Sequence, residues 1–140
     1  KLLSEAGVPV HVLAAPMIPA INDMELERIL DAAAAQGARG AGMMMLRLAG
    51  EVKDIFAEWL LRYYPDRVSH VLNLVQNMRG SEENDPRFRS RMRGTGAYAR
   101  ILQQRFERTV RRYNLSRKPQ KLRTDLFCAP KIENRQLSLF

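Results

Sequence analysis

Two apolar segments separated by one helical segment constrain the fold of this chain more than any other feature. Residues 8–14 and residues 41–48 are nearly continuous apolar runs, long enough for strands that are buried on both faces. Residues 24–36 are rich in alanine, leucine and glutamate, which are good helix formers, and Gly37 follows where a helix commonly ends. Two buried strands joined by one helix make a βαβ unit with parallel strands and a right-handed connection. The sequence therefore predicts an α/β fold.

The loop after the first predicted strand contains two prolines. Pro16 and Pro19 argue against a helix and against regular strand pairing at these positions. Asn22 is expected to cap the next helix, and Glu25, three residues later, completes the pattern of a capping box.

Three apolar stripes predict helices in the rest of the chain. Apolar residues recur at steps of three and four over residues 52–63, 68–78 and 98–113. Pro65 is expected to end the first of these helices, and Thr95 is expected to cap the last. We divide the chain on this basis into an α/β unit at residues 1–64, an α-helical region at 65–114 and an irregular, flexible basic tail at 115–140.

A sheet of only two parallel strands is not expected to be stable alone, because parallel sheets are covered on both faces. Further strands of the same sheet are therefore expected upstream of Lys1. In the isolated chain the unpaired apolar strand edges predict self-association, most simply as a two-fold dimer.

Charge is distributed unevenly along the chain. The net charge is +8. Residues 1–86 carry 8 Lys+Arg against 12 Asp+Glu, a balance of −4, whereas residues 87–140 carry 15 against 3, a balance of +12. This segregation favours a polyanionic partner such as DNA for the basic half, and the alternative is a solvated basic surface.

A cluster of arginines precedes the last predicted helix and is our candidate for nucleic-acid contact: Arg87, Arg89, Arg91 and Arg93. They lead into the Gly-Thr-Gly sequence at residues 94–96. A glycine-bearing helix start between arginines can hold a phosphate, and a solvated turn explains the same pattern.

One cysteine and the absence of a long apolar segment exclude several classes of protein. Cys128 cannot form an internal disulfide, and one thiolate cannot supply a multi-cysteine metal site, so we expect this chain alone to bind no metal. No run of about 18 apolar residues is present, so we expect no membrane partner. A single unpaired cysteine also suits the reducing cytoplasm.

Several sequence blocks stand in a fixed order along residues 1–114. They read EAGVPV at 5–10, APMIPAIND at 15–23, GAGMMMLRL at 40–48, EVKDIF at 51–56, PDR at 65–67 and MRGTG at 92–96. In this order the blocks resemble the fifth strand, the loop after it, the sixth strand and the following helices of radical S-adenosylmethionine (SAM) proteins related to spore photoproduct lyase. Two positions depart from the pattern: Ala20 stands where those relatives have glycine, and Ala49 where they tend to have proline.

The resemblance implies a partial (β/α) barrel in which residues 1–64 form the last two strands with their helices. In such proteins three cysteines near the start bind a 4Fe–4S cluster. SAM binds the open iron of that cluster, and its reductive cleavage yields a 5′-deoxyadenosyl radical. The missing N-terminal half of the barrel is then a required partner. The resemblance also implies DNA repair, with nucleic acid as the substrate class.

The residues that the resemblance implies beside SAM or at the barrel mouth are Met43, Met44, Met45, Leu46, Arg47, Pro16 and Asn22. The three methionines are better explained as core residues than as cofactor contacts, since methionine fills irregular gaps. Arg47 in an apolar strand needs a partner or the end of the strand. Because Cys128 cannot replace three cysteines, we expect the isolated chain to bind neither cofactor and to be inactive.

The last five residues form a second recognisable motif: Gln136, Leu137, Ser138, Leu139 and Phe140. The pentapeptide resembles the one by which bacterial polymerases and repair proteins dock on the DNA sliding clamp. The alternative is an apolar C-terminus that folds back on the core. Three classes of function thus remain open: part of a radical SAM enzyme, an interaction module for DNA or the clamp, and a barrel remnant without a function of its own.

Overall fold

A computed structural model describes residues 1–78, 94–118, 125 and 127–129. Its helices and strands, in chain order, are α1 (Leu2–Glu5), β1 (His11–Met17), α2 (Leu26–Ala35), β2 (Gly40–Met45), α3 (Val52–Tyr63), α4 (Val68–Asn77) and α5 (Gly96–Arg112). Short 3-10 turns precede α2 at Asp23–Glu25 and α4 at Pro65–Arg67. The α/β class predicted from the sequence is confirmed.

The two strands pair in parallel, as the βαβ pattern predicts. His11 lies opposite Gly40 and Ala14 opposite Met43, and the register shifts between Ala14 and Met17. The first strand therefore runs past Pro16, where we expected a loop, because a proline is tolerated where a bulge interrupts the ladder. Both strands are displaced from the predicted segments, by three residues at the start of β1 and three at the end of β2.

One face of the sheet packs against α2 and α5. The buried residues of this core are Ala14, Met17, Leu26, Leu30, Ala41, Met45, Leu60, Val71, Val75, Met78, Ala99, Leu102, Phe106, Val110 and Leu115. In β1 burial alternates, so that Val12 and Ala14 face the helices while His11 and Leu13 are exposed. Leu13, which is 59% exposed, lies over Gly42, where an added Cβ would come within 2.9 Å of the Leu13 Cδ1 atom. On this second face His11, Leu13 and Ala15 of β1 are exposed, whereas Gly42 and Met44 of β2 are half-buried.

The chain returns to the sheet after α5. Ser116 forms a parallel bridge with Gly40, with the Ala41 N–H donating to the Ser116 carbonyl at 2.9 Å and the Ser116 N–H donating to the Arg39 carbonyl at 2.8 Å. Leu115 is buried in the core. The start of the segment that we assigned to the basic tail thus completes one edge of β2.

Two of the predicted helix ends are found where the sequence places them. Helix α3 ends at Tyr63, before Pro65, and α2 is followed by Gly37 in the left-handed conformation at φ +86°. Thr95 precedes α5, but its hydroxyl makes no capping bond and donates instead to the Met78 carbonyl at 3.1 Å. No helix within the described residues is both long and apolar enough to cross a membrane.

Candidate functional site

The carboxyl ends of both strands meet at one edge of the sheet. The Leu46 N–H donates to the Met17 carbonyl at 2.9 Å, so the loop after β1 and the segment after β2 begin side by side. In α/β folds, parallel strands present their ligand-binding loops at this edge. We therefore treat the carboxyl edge, formed by residues 16–23 and 46–48, as the candidate site.

Asn22 closes the loop on itself. Its Oδ1 atom accepts a hydrogen bond from the Ile18 N–H at 2.7 Å, and its Nδ2 atom donates to the Pro16 carbonyl at 3.0 Å. The prediction that Asn22 caps α2 is wrong, because the side chain makes no capping bond. Asparagine side chains bond readily to nearby backbone groups, and here the preceding loop supplies them. Pro19, fully buried, anchors the same loop in the fold.

Ala20 holds the centre of the loop in a left-handed conformation at φ +57°. Its N–H donates to the Tyr98 hydroxyl at 3.3 Å, and its carbonyl accepts from Arg67 Nη1 at 3.0 Å. A left-handed backbone is unfavourable for a residue that carries a Cβ atom. Two distant side chains therefore stabilise a conformation that alanine alone would avoid.

An ionic and phenolic network joins α5 to the start of α2. The Tyr98 hydroxyl donates to Asp23 Oδ2 at 2.5 Å. Arg105 binds Glu27 through two hydrogen bonds, at 2.7 Å from Nε to Oε1 and 2.6 Å from Nη2 to Oε2. Arg105 Nη2 also donates to the Asp23 carbonyl at 3.0 Å. Such a bidentate arginine–carboxylate pair fixes geometry as well as charge.

The network sets the protonation states of its members. Burial, together with the hydrogen bond to Asp23, raises the pKa of Tyr98 to about 12. The hydrogen bond from Arg105 lowers the pKa of the Glu27 carboxyl, and partial burial opposes this shift. Tyr98 is therefore a neutral phenol and Glu27 a carboxylate at neutral pH. The network acts as a scaffold for the carboxyl edge, since its polar groups are already engaged with one another.

The structure places the predicted cofactor residues in different surroundings. Met45 is 3% exposed and belongs to the core, and Met43 packs against the core. Met44 lies between them in β2, on the opposite face of the strand, and is half-buried. Arg47 is exposed and lies two residues beyond the end of β2. Its charge therefore lies outside the apolar strand, as we expected for an arginine without a buried partner. Leu46 is half-buried at the edge itself.

Pro16 and Asn22 are brought together with Leu46 at the carboxyl edge. The arginines that we selected for nucleic-acid contact, Arg87, Arg89, Arg91 and Arg93, lie outside the described residues. So do the five residues of the clamp motif, Gln136, Leu137, Ser138, Leu139 and Phe140.

Sequence reasoning missed the residues that brace the site. The sequence places Tyr98 at the start of an apolar stripe over residues 98–113 and assigns no role to Arg105. One signal was present for Arg105: on a helical wheel it lies beside the apolar stripe that contains Leu102, so it needs a partner. Two carboxylates one turn apart, at positions 23 and 27, are suitable partners.

The donor set of the described residues does not fit an iron–sulfur cluster. No three His, Cys, Asp or Glu side chains come together there in a way that would hold a metal ion. Cys128 is exposed and is the only cysteine in the chain. A 4Fe–4S cluster ordinarily takes three or four thiolates, so its ligands would have to come from other residues.

Comparison with known proteins gives relatives without an informative name. Uncharacterized proteins of Mycobacterium bovis and of two strains of Mycobacterium tuberculosis are 36% identical to this chain over 73 residues. Those residues are 51% of this chain but 22% of each relative, so the match spans about a fifth of the relatives' length. No protein-family model matches the chain. No solved structure matches it either.

Replacing Ala20 with glycine is expected to stabilise the chain by about 0.5–1 kcal/mol, because glycine adopts the left-handed conformation without the Cβ penalty. The control is Ala32→Gly, at an exposed position inside the right-handed helix α2, which should destabilise by about 1 kcal/mol. Urea unfolding of the full chain measures both free energies. A destabilised Ala20→Gly variant would contradict the left-handed assignment.

Proposed function

We propose that this chain is the C-terminal part of a radical SAM enzyme related to spore photoproduct lyase, acting on nucleic acid. Its carboxyl edge then forms part of the cofactor-facing mouth of a partial (β/α) barrel. The order of the sequence blocks at residues 5–96 carries the proposal. The parallel pairing of β1 and β2 and the hydrogen bonds that hold the loop after β1 are consistent with it.

The exposed residues of β1 support a larger sheet. Parallel sheets are almost always buried on both sides, yet His11, Leu13 and Ala15 are exposed along β1. The edge of β2 carries the bridge to Ser116, whereas the only described pairing of β1 is with β2. Strands of a missing barrel half would therefore pair with the free edge of β1. Leu13 would then lie in the interior of the complete barrel.

The length of the relatives is consistent with this arrangement. The same 73 residues are 51% of this chain and 22% of each relative, so each relative is more than twice as long as this chain. The relatives are therefore long enough to contain a complete barrel in addition to the matching segment. The names of these relatives state no activity, so the proposed activity rests on the sequence blocks at residues 5–96.

The described residues would contribute position rather than chemistry. SAM and the cluster supply the radical when bound in the complete barrel. On this chain, Asn22 sets the shape of the loop, Tyr98 and Arg67 hold its centre, and the exposed Arg47 offers a cation at the mouth. The bracing fits the general need of an active site for a loop of fixed geometry.

Anaerobic reconstitution with iron and sulfide is expected to give no 4Fe–4S cluster on this chain, because one thiolate cannot hold it. The protein expressed from its complete gene should bind a cluster and, after reduction with SAM present, release 5′-deoxyadenosine. Visible absorption after desalting and chromatography of the nucleoside measure the two outcomes. A complete protein without a cluster would overturn the proposal.

Two matched arginine variants of the complete protein test the position of the site. Arg47 and Arg39 are both exposed, but Arg47 follows β2 and Arg39 precedes it, at opposite ends of the sheet. Arg47→Gln is expected to raise the KM for SAM about tenfold, since a charge-assisted contact contributes about 1.5–3 kcal/mol. Arg39→Gln should leave it unchanged, and equal effects of both variants would contradict a cofactor at the carboxyl edge.

A second candidate is an interaction module for DNA and the sliding clamp, without catalysis of its own. The observation that favours it is the pentapeptide at residues 136–140, which stands at the end of a segment carrying 15 Lys+Arg against 3 Asp+Glu. The two candidates are compatible, since a clamp-binding tail can recruit a repair enzyme.

A further inference from the structure

The outer face of α5 is a continuous basic surface. Four arginines are exposed there: Arg100, Arg108, Arg111 and Arg112. At 100° per residue they fall within about 120° of the helix circumference, and no carboxylate lies among them. The other residues of this sector are Ala97, Ile101 and Gln104. We call this sector the basic face of α5.

Charge on the basic face is only partly neutralised by the rest of the described chain. The only acidic residue of α5, Glu107, lies beside the face and is shared among Gln103 at 2.8 Å, Arg117 at 3.1 Å and Arg111 at 3.9 Å. The fifth arginine of the helix, Arg105, lies just beyond the edge of this sector, next to Arg112, and is bound to Glu27. Within the described residues no carboxylate forms an ion pair with Arg100 or Arg108.

The spacing of these cations suits a regular row of anions. Arg100 and Arg112 are about 18 Å apart along the helix axis at 1.5 Å per residue. One strand of a DNA duplex presents a phosphate about every 3.4 Å of its axis, so this length matches about five phosphates. We propose that the basic face of α5 binds the phosphate backbone of nucleic acid, independently of base sequence.

An anionic membrane surface is a less suitable partner for the same charges. A helix that binds a lipid surface inserts its apolar face between the headgroups. The apolar face of α5 is already in the core, where Leu102, Phe106 and Val110 are buried. Ile101 is the single large apolar residue on the exposed side, which leaves phosphate contacts as the main attraction.

This inference does not depend on the radical SAM proposal, because it uses neither the carboxyl edge nor a cofactor. A chain that binds nucleic acid through α5 would do so whether or not the complete protein holds a cluster. Failure of the binding experiment below would leave the cluster experiment unaffected, and the reverse also holds. The inference also differs from the sequence-based choice of Arg87 to Arg93, since it places the contact on a helix whose geometry is described.

The test compares two triple variants that change the net charge equally, from +8 to +5. The first replaces Arg100, Arg108 and Arg112 with glutamine, a good helix former. The second replaces three exposed arginines elsewhere: Arg28, Arg39 and Arg62. The sets are matched in one further respect, since Arg112 lies over the Tyr113 ring and Arg62 over the Tyr63 ring, each at 5.5 Å.

Fluorescence anisotropy of a labelled 20-base-pair duplex, titrated with the full chain at 50–200 mM KCl, measures affinity and its salt dependence. Each phosphate contact contributes about −0.9 to the slope of log K against log salt. Loss of three contacts in the glutamine variant of α5 should make the slope less steep by about 2.7. Between 50 and 200 mM KCl the affinity of the wild-type chain should therefore fall about 40-fold more than that of this variant. The control variant should keep the wild-type slope.

Three outcomes would overturn the proposal. The first is no duplex binding by the wild-type chain at 50 mM KCl. The second is an equal change of slope in both triple variants, which would indicate general attraction by net charge. The third is that the wild-type chain binds vesicles containing anionic lipid but not the duplex, and that the glutamine variant of α5 no longer binds those vesicles. Lysine in place of Arg100, Arg108 and Arg112 should restore the slope, and this variant keeps the proposal testable if the glutamine variant unfolds.

Discussion

Removal of residues 136–140 is expected to abolish binding of this chain to the bacterial sliding clamp. The pentapeptide offers a glutamine for hydrogen bonding and three large apolar side chains for pockets: Leu137, Leu139 and Phe140. A short segment that becomes ordered on binding should reach micromolar affinity, about −8 kcal/mol. Full burial of one leucine or phenylalanine contributes about 1.5–3 kcal/mol, so Leu137→Ala or Phe140→Ala should each weaken binding tenfold or more.

Calorimetric titration of purified clamp with the intact chain and with the shortened one measures this effect. Ser138→Ala is the matched control inside the motif, and it should change little if the hydroxyl faces water. Equal heats from the intact and the shortened chain would mean that residues 136–140 do not bind the clamp. The second candidate function would then rest on the basic face of α5 alone.

Phe106→Ala is expected to lower the free energy of unfolding by about 3–5 kcal/mol. Phe106 is 4% exposed and lies in α5, the helix that packs against both α2 and β2. Its removal leaves a cavity where these elements meet, and surrounding residues fill such a cavity only in part. Because domains are stable by about 5–15 kcal/mol in total, a large part of the stability should be lost.

Ile101→Ala on the same helix is the control for the loss of a large apolar side chain. Ile101 is 56% exposed, so its truncation should cost less than about 1 kcal/mol. Urea unfolding followed by circular dichroism measures both variants. If Phe106→Ala and Ile101→Ala have similar effects, α5 does not pack on the sheet as described.

The overall plan of the fold could be predicted because its signals are local. Two apolar runs and the helix between them indicate a parallel βαβ unit without any long-range information, and Pro65 and Gly37 mark helix ends by their own backbone restrictions. Strand limits were less certain, since apolar character continues on both sides of each strand. Burial by α2 and α5, which is a tertiary effect, decides which residues pair.

The bracing of the candidate site could not be predicted, because its partners are far apart in sequence. Tyr98 and Asp23 are 75 residues apart, and Arg105 and Glu27 are 78 apart. The cap predicted at Thr95 failed for a related reason, because its hydroxyl donates to the Met78 carbonyl, 17 residues away. Asn22 bonds locally instead, to the Pro16 carbonyl of the loop just before it. The departure at Ala20 was visible in the sequence, but its left-handed backbone was not.

The position of α5 at the end of the described fold has a consequence for synthesis of the protein. Helix α5 covers the sheet, and Ser116 completes the edge of β2, yet β2 ends at Met45, 67 residues before the end of α5 at Arg112. At about 5–20 residues per second, a ribosome needs roughly 3–13 s to add this stretch. Throughout that interval the nascent sheet lacks the helix that packs against β2, and its apolar surface is open to chaperones and to neighbouring nascent chains.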